Sequence, residues 1–290
     1  MADVPEPAAE EGVALVRVRA AGINFMDCLV RKGQYPQPPE LPAVLGVEVA
    51  GEVDGRRVMG LPRHDGGGYA EVAAVDEDWL VPLPEGASFA EGASFLMTFL
   101  TAYVPLTRQV RVEQGSTVLV HAGSGGVGSA AIQLARHFGA RVVATASTEE
   151  KRTFARELGA EEAYAYEDFA EHVRADLVID PVGGELVHQS LKALNPLGTL
   201  LALGYAGGMW PQVDPALIVG RNVGLVGFYL GRLMRLRPDV VRAAIGELVA
   251  LWEEGAIRPV VGAEFPLAEA PAAHRLIDER KHVGKVVLVP

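Results

Sequence analysis

Between the apolar run Val118-Leu119-Val120-His121-Ala122 and a helix-like stretch that opens at Ser129 stands Gly123-Ser124-Gly125-Gly126-Val127-Gly128. Glycines at 123, 125 and 128 match G-x-G-x-x-G in a strand–turn–helix setting, the arrangement that holds a dinucleotide pyrophosphate. In this reading Gly123 allows the sharp turn, Gly125 lets a phosphate approach the backbone, and Gly128 lets helix and strand pack closely. Free N–H groups and the positive end of the helix dipole then face the phosphates. Two other chemistries share part of the pattern. Ala122-Gly123-Ser124-Gly125-Gly126 is similar to a nucleophile elbow with alanine in its first place, and Asp180 with His188 or His274 would complete a triad in order. The elbow gives no reason for Gly128. A triphosphate loop needs a Gly-Lys-Ser/Thr that does not follow.

About 20 residues beyond the first glycine, an NAD site places an acid on the ribose 2′-hydroxyl. Here the expected strand tip reads Ala144-Thr145-Ala146-Ser147-Thr148, with no acid, and Lys151 and Arg152 follow. Small hydroxyl side chains and a cation suit a 2′-phosphate, so NADPH is the expected cofactor. Glu149 and Glu150 would favour NADH if they turned inward.

The elements that must position these residues are of two kinds. Val13–Ala20 alternates apolar and basic residues, the period of a half-buried strand. Val44–Val53 and Arg57–Leu61 flank Asp54-Gly55, a tight-hairpin signal, and Tyr69–Val75 and Trp79–Val81 continue the pattern. Four prolines between Tyr35 and Leu45 predict an extended loop. Phe89–Thr107 has helical spacing. Beyond it, apolar runs at 117–122, 141–146, 177–180, 199–203 and 225–227 alternate with amphipathic stretches at 129–138, 149–158 and 184–194, which predicts a parallel sheet covered on both faces. A helix over 239–254, a short strand at 263–265, a helix near 269–278 and the strand Lys285–Val289 follow. That last apolar strand is expected to return to the β module and make it discontinuous.

The chain has 290 residues, a formal charge of −11, 49% hydrophobic and 22% charged residues, so packed cores are expected rather than disorder. The acidic balance argues against nucleic acid or an anionic membrane as partner. Cys28 is the only cysteine, which excludes an intrachain disulfide and a cysteine zinc cluster. The acidic, proline-broken start is unlike a signal peptide. The uncharged stretches 92–107 and 193–213 are interrupted by polar residues, glycine and proline, so neither reads as a membrane span, and the expected location is cytoplasmic.

Several further motifs carry a resemblance. Ala20-Ala21-Gly22-Ile23-Asn24-Phe25-Met26-Asp27 with Arg31, Gly33 and Tyr35, then Leu45–Gly51, Gly67–Glu71 and Thr98–Tyr103, resemble the quinone oxidoreductase (zeta-crystallin-like) branch of the medium-chain dehydrogenase/reductases. Asp180-Pro181-Val182-Gly183-Gly184, Gly204 and Gly284–Leu288 look like the same family, and together the motifs span nearly the whole chain in family order.

The resemblance implies an α/β protein: a GroES-like β domain over 1–97 and 236–290, a Rossmann doubly wound parallel sheet over 98–235, and an active-site cleft between them. Zinc-dependent relatives have a cysteine where Asn24 stands and a histidine where Val47 stands, so a zinc-independent reductase is implied, with Cys28 a packing residue. Carried over residue by residue, Asn24 lies near the nicotinamide and Thr101 by the cleft. Gly125, Gly126, Val127 and Gly128 hold the pyrophosphate; Ser147, Lys151 and Tyr166 hold the adenosine phosphate; Gly204, Phe228, Leu230 and Arg280 border the cofactor. A homodimer through the edge around Leu225–Phe228 is also implied. Against the family pattern the chain lacks about one N-terminal strand, and Asp54-Gly55 replaces a longer loop; both would expose part of the β module. Without a Lewis acid, a conjugated acceptor is favoured, because hydride attack moves charge onto a distant oxygen. NADPH-dependent quinone reduction is the principal expectation, with Asn24 and Tyr35 orienting the acceptor and Tyr35 donating a proton. Reduction of alkenals or enoyl thioesters is the nearest alternative, and a non-catalytic NADPH-binding, crystallin-like protein is another.

Overall fold

Period-two alternation and continuous apolar runs give two different sheets. The computed structural model describes residues 3–36, 38–63 and 66–290; the first two residues of the acidic start, and Gln37 in the proline loop, lie outside that range. The chain opens with β1 (Val13–Ile23), α1 (Phe25–Arg31), β2 (Val49–Val53), β3 (Arg56–Pro62), β4 (Val72–Pro82), α2 (Phe89–Gly92) and α3 (Leu96–Arg108). Next come β5 (Thr117–Val120), α4 (Gly126–His137), β6 (Arg141–Thr145), α5 (Glu149–Glu157), β7 (Glu162–Tyr164), α6 (Phe169–His172), β8 (Ala175–Asp180) and α7 (Leu186–Ala193). The chain closes with β9 (Leu194–Ala202), α8 (Pro215–Arg221), β10 (Gly224–Gly227), α9 (Leu230–Leu236), α10 (Pro238–Glu253), β11 (Val261–Pro266), α11 (Ala270–Asp278) and β12 (Lys285–Val289).

Two compact units result: residues up to Thr98 together with Arg258–Pro290, and Phe99–Ile257. This division counts α10 with the second unit, whereas a boundary at 235/236 puts it in the first.

The first unit is built on the order β11-β12-β1-β2-β3-β4, with β4 also pairing to β1. In β1, Val16 and Val18 are buried while Arg17 and Arg19 face solvent. Asp54 and Gly55 both take positive φ, 50° and 75°, the backbone that a two-residue turn needs to match strand twist. β12 pairs antiparallel with β1, so the last strand does return to this module.

The segment before β2 is not strand as expected from Val44. Gly46 turns at φ 97° against the Tyr69 ring, and regular pairing starts only at Val49. The two runs expected at 69–75 and 79–81 join in one strand, β4, from Val72 on, whose main partner changes midway: Val72–Asp76 pairs with β1 and Leu80–Pro82 with β3, while Val75 also meets Pro62 of β3. The long helix expected over 89–107 is broken. At Ser94 and Phe95 the N–H groups reach back three residues rather than four, tightening the chain between α2 and α3.

The second unit holds six parallel strands in the order β10-β9-β8-β5-β6-β7, which in chain order is the 3-2-1-4-5-6 arrangement of dinucleotide-binding sheets. Val118, Leu119 and Val120 of β5 are fully buried because helices cover both faces. The three-residue β7 and the short α1, α8 and α9 have no counterpart among the expected elements. No helix among the described residues is long and apolar enough to cross a membrane.

Just beyond β5, the buried His121 ties three elements together. Its Nδ1 lies 2.8 Å from Thr145 Oγ1 on β6 and its Nε2 2.8 Å from Ser190 Oγ on α7. Ser190 donates its own proton to the Leu186 carbonyl, so Nε2 carries the imidazole proton and Nδ1 accepts from Thr145. Burial pushes the imidazole pKa from 6.5 down to about 3. The unfolded chain therefore binds an extra proton between those values, and stability is full above about 6.5 and falls as pH drops toward 3. Urea unfolding should show a loss of about 2 kcal/mol from this group between pH 6.5 and 5, and His121→Asn should flatten that slope.

Candidate functional site

The glycine turn follows the carboxyl end of β5, the side on which open parallel sheets bind ligands. The left-handed residue of the turn is Ala122, at φ 51°, and not Gly123 as expected. Gly123 is instead required by packing: a Cβ there would stand 2.9 Å from Ala144 Cβ and 3.1 Å from Ile132 Cδ1. At Gly128 a Cβ would stand 2.1 Å from the Ala122 carbonyl oxygen, so helix α4 can approach the turn only through glycine, as expected. Gly125 differs from both. Its nearest obstacle is the Ala122 oxygen at 3.4 Å, an ordinary contact, and no part of the chain excludes a side chain. It is the N-cap of the 12-residue helix α4, half-buried like Gly126 and Val127, with the first-turn N–H groups of the helix behind it. This cradle fits a pyrophosphate: a bare backbone surface at a helix N-terminus, bounded by glycines that the fold itself demands.

Of the residues expected on the adenosine side, Ser147 and Lys151 follow β6 and Tyr166 follows β7. Ser147 is exposed, and Thr148 caps α5, its hydroxyl accepting from Lys151 N–H at 3.3 Å. The Lys151 side chain is buried, and Tyr166 lies beside the His121 ring with centroids 6.4 Å apart. Glu149 does not turn inward. Its carboxylate accepts from Arg152 Nε at 2.9 Å and from Arg156, and the two guanidinium groups, Arg156 first, hold it below the usual carboxylate range. Gly204 and Phe228 follow the carboxyl ends of β9 and β10, where the Phe228 N–H donates to the Ala202 carbonyl at 3.0 Å. Leu230 is buried at the start of α9, and Thr101 is half-buried on α3.

Asn24, Tyr35 and Arg280 belong to the first unit. Tyr35 is half-buried in the loop after α1, and Arg280 is exposed with φ 55° after α11. Asn24 caps α1 at the end of β1, where its N–H donates to Asp27 Oδ2 at 2.7 Å. Its side chain sits in a network that the expected site did not include. Lys285 Nζ, from β12, donates to Asn24 Oδ1 at 2.8 Å and to Glu48 Oε1; Asn24 Nδ2 donates to the same Glu48 oxygen at 3.1 Å; and the Met97 N–H donates to Glu48 Oε2 at 3.0 Å. Glu48 and Lys285 are 1% and 5% exposed. Each is a charge embedded in an apolar run, a signal that it must find a partner.

A second chain runs beneath α1. Tyr69 donates to Asp27 Oδ2 at 3.2 Å, so its oxygen accepts from His274 Nε2 at 3.3 Å, and His274 Nδ1 faces Cys28 Sγ at 3.5 Å. Burial pushes the Asp27 carboxyl up to about 6, the Cys28 thiol up to about 12 and the His274 imidazole down to about 4. Cys28 is thus a buried neutral thiol. His274 is engaged here, and Asp180 uses Oδ1 on the N–H groups of Val182 and Gly183 while Oδ2 has no partner among the described residues, so no triad forms through Asp180. Among the described residues no group of three or more His, Cys, Asp or Glu side chains is placed to hold a metal ion.

The glycines separate packing from binding. Gly128→Ala should fail to fold or lose several kcal/mol, of order 3, because backbone must move. Gly125→Ala should keep stability within about 1 kcal/mol yet weaken dinucleotide binding by about 10-fold or more, read by thermal unfolding and ligand titration.

Residues 10–85 match the family described as alcohol dehydrogenase GroES-like domain, and residues 126–249 match zinc-binding dehydrogenase. The quinone oxidoreductase of Thermus thermophilus, solved alone and with NADPH, is 42% identical with a TM-score of 0.90, covering 100% of this chain and 95% of that one. A quinone oxidoreductase of Pseudomonas aeruginosa is 35% identical over 97% of this chain and 93% of its own length. The spectinabilin polyketide synthase system protein NorB of Streptomyces orinoci is 36% identical over 99% of this chain, which spans 14% of that protein. With the GroES-like and parallel-sheet units both in place and the two quinone oxidoreductases matched over nearly their full length, the chain belongs to the quinone oxidoreductase branch of the medium-chain dehydrogenase/reductase superfamily.

Proposed function

We propose that the protein is an NADPH-dependent reductase that passes hydride to quinones without zinc. The observation that carries this reading is the acid-free end of β6: the chain leaves the strand through Ala146, Ser147 and Thr148, Glu149 is held by Arg152 and Arg156, and Lys151 is the cation at the turn. The bare Gly125 cradle and the NADPH complex of the Thermus relative support the same cofactor. Bound there, NADPH supplies a hydride, which a conjugated acceptor can take because its charge moves to a remote oxygen.

The N–H groups of Gly126, Val127 and Gly128 neutralise the pyrophosphate, Ser147 and Lys151 hold the 2′-phosphate, and Tyr166, Gly204, Phe228 and Leu230 shape the rest of the cofactor surface. Asn24 lies near the nicotinamide and, with Tyr35, orients the acceptor, Thr101 and Arg280 border the cofactor, and Tyr35 gives a proton to the acceptor oxygen as it gains charge. Zinc independence is supported by Asn24, whose oxygen accepts from Lys285, and by Val47, a buried apolar side chain where zinc-dependent relatives place histidine. Similarity to a polyketide synthase protein makes enoyl thioesters and alkenals the second acceptor class. A homodimer through the β10 edge is proposed from Leu225 and Tyr229, both exposed, beside an apolar hollow of about 580 Å³ lined by Trp210, Phe228 and Leu233.

NADPH oxidation with a panel of quinones, alkenals and enoyl thioesters tests the reading: turnover with quinones is expected, and a clear preference for NADH refutes the cofactor assignment. Lys151→Ala should raise KM for NADPH by about 10-fold with little effect on NADH. Tyr35→Phe should lower enone turnover while NADPH binding persists. Light scattering should return a dimer, and a monomeric mass counts against the proposed edge.

A further inference from the structure

Glu48, Asn24 and Lys285 are each hydrogen-bonded to the other two. Glu48 Oε2 takes the Met97 N–H, and Oε1 takes both Lys285 Nζ and Asn24 Nδ2. Lys285 Nζ also donates to Asn24 Oδ1 at 2.8 Å. Rotating the amide by half a turn would set Nδ2 against the ammonium and Oδ1 against the carboxylate, two repulsive contacts between buried groups. Only one orientation survives. In it the Nδ2 protons face Glu48 and the Gly22 carbonyl, at 3.1 and 3.5 Å, and Oδ1 keeps one lone pair. The backbone of Asn24 is fixed separately, by its N–H on Asp27.

We propose that Lys285 is a positioning residue for the reduction: through its bond to Asn24 Oδ1, with Glu48 as counter-ion, it holds the Asn24 amide so that it offers an acceptor, and not a donor, to the reacting partners. The groups selected are those carrying an N–H or O–H, such as a carboxamide N–H. The inference rests on the proposed function in that Asn24 faces the reacting ring. It adds a residue from the last strand whose own ammonium is buried against Glu48.

A double-mutant cycle between Asn24→Ala and Lys285→Arg tests it; arginine keeps the cation that Glu48 needs while displacing the donor from Oδ1. Lys285→Arg should lower kcat about 10-fold with the NADPH Kd, from fluorescence titration, changed less than about 3-fold. In the Asn24→Ala background the same substitution should cost less than about 2-fold. Wild-type kcat in Lys285→Arg, or losses that multiply, overturn the proposal. A second measurement needs no turnover: in ligand-free, isotope-labelled protein, solvent exchange of the Asn24 side-chain amide protons should accelerate about 10-fold in the uncharged pair Glu48→Gln/Lys285→Met. If that pair does not fold, Lys285→Arg should accelerate exchange about 3-fold. Unchanged exchange in the folded variant overturns the role of Lys285. Failure of the wild type to oxidise NADPH in the presence of any of the quinones, alkenals or enoyl thioesters refutes the proposed function instead, and amide exchange then decides the inference alone.

Discussion

Taking a carboxylate out of water costs several kcal/mol unless a cation and hydrogen bonds replace its hydration, and in the first unit that requirement centres on Glu48. Its oxygens collect a side-chain amide from the β1–α1 corner, a backbone N–H from the first turn of α3 and an ammonium from β12. Gly22 belongs to the same arrangement, since a Cβ there would stand 1.8 Å from the Ala93 carbonyl and 2.7 Å from Glu48 Oε1. Segments far apart in sequence are thus brought to one point, and Asn24, the residue proposed to lie near the nicotinamide, is among them. The charge pair is weak evidence for stability as such; what it supplies is a defined orientation.

The second unit reaches the same end with uncharged groups. Ala122 accepts a left-handed backbone, a cost of about 1 kcal/mol, so that its carbonyl can meet Gly125 N–H and lie against Gly128. Below it, neutral His121 joins β6 to α7 through two hydroxyls. The backbone that would face a pyrophosphate is therefore held from behind before any ligand arrives, which lowers the ordering cost of binding.

What could be read in the sequence was what is local. The glycine turn, the Asp54-Gly55 hairpin and the apolar strands of the parallel sheet each depend on residues within a few positions, and all three stand in the structure. The role given to Gly123 did not hold, because φ is set by neighbours in space and the turn fell on Ala122. Partner exchange in β4 hid a single strand behind a polar Asp76-Glu77-Asp78, and the three-residue β7 is too short to show a period. The network around Asn24 was hidden for another reason: Glu48 and Lys285 are 237 positions apart, and no spacing rule links them. Their only mark was a charge inside each of two apolar runs, Val47–Ala50 and Val286–Val289 flanking it.

The two units differ in how they draw on the chain: Phe99–Ile257 is continuous, whereas the first unit takes residues from both sides of it. During vectorial synthesis a nascent polypeptide can finish the continuous sheet while the other unit still lacks β11 and β12. Until β12 emerges, the Ala21–Ile23 end of β1 has a bare edge and Glu48 has no counter-ion. Closure of that unit is therefore a late event on the ribosome, and translation stalled shortly before Lys285 leaves a folded nucleotide-type sheet tethered to an unfinished neighbour, a species with an open strand edge for chaperones to cover.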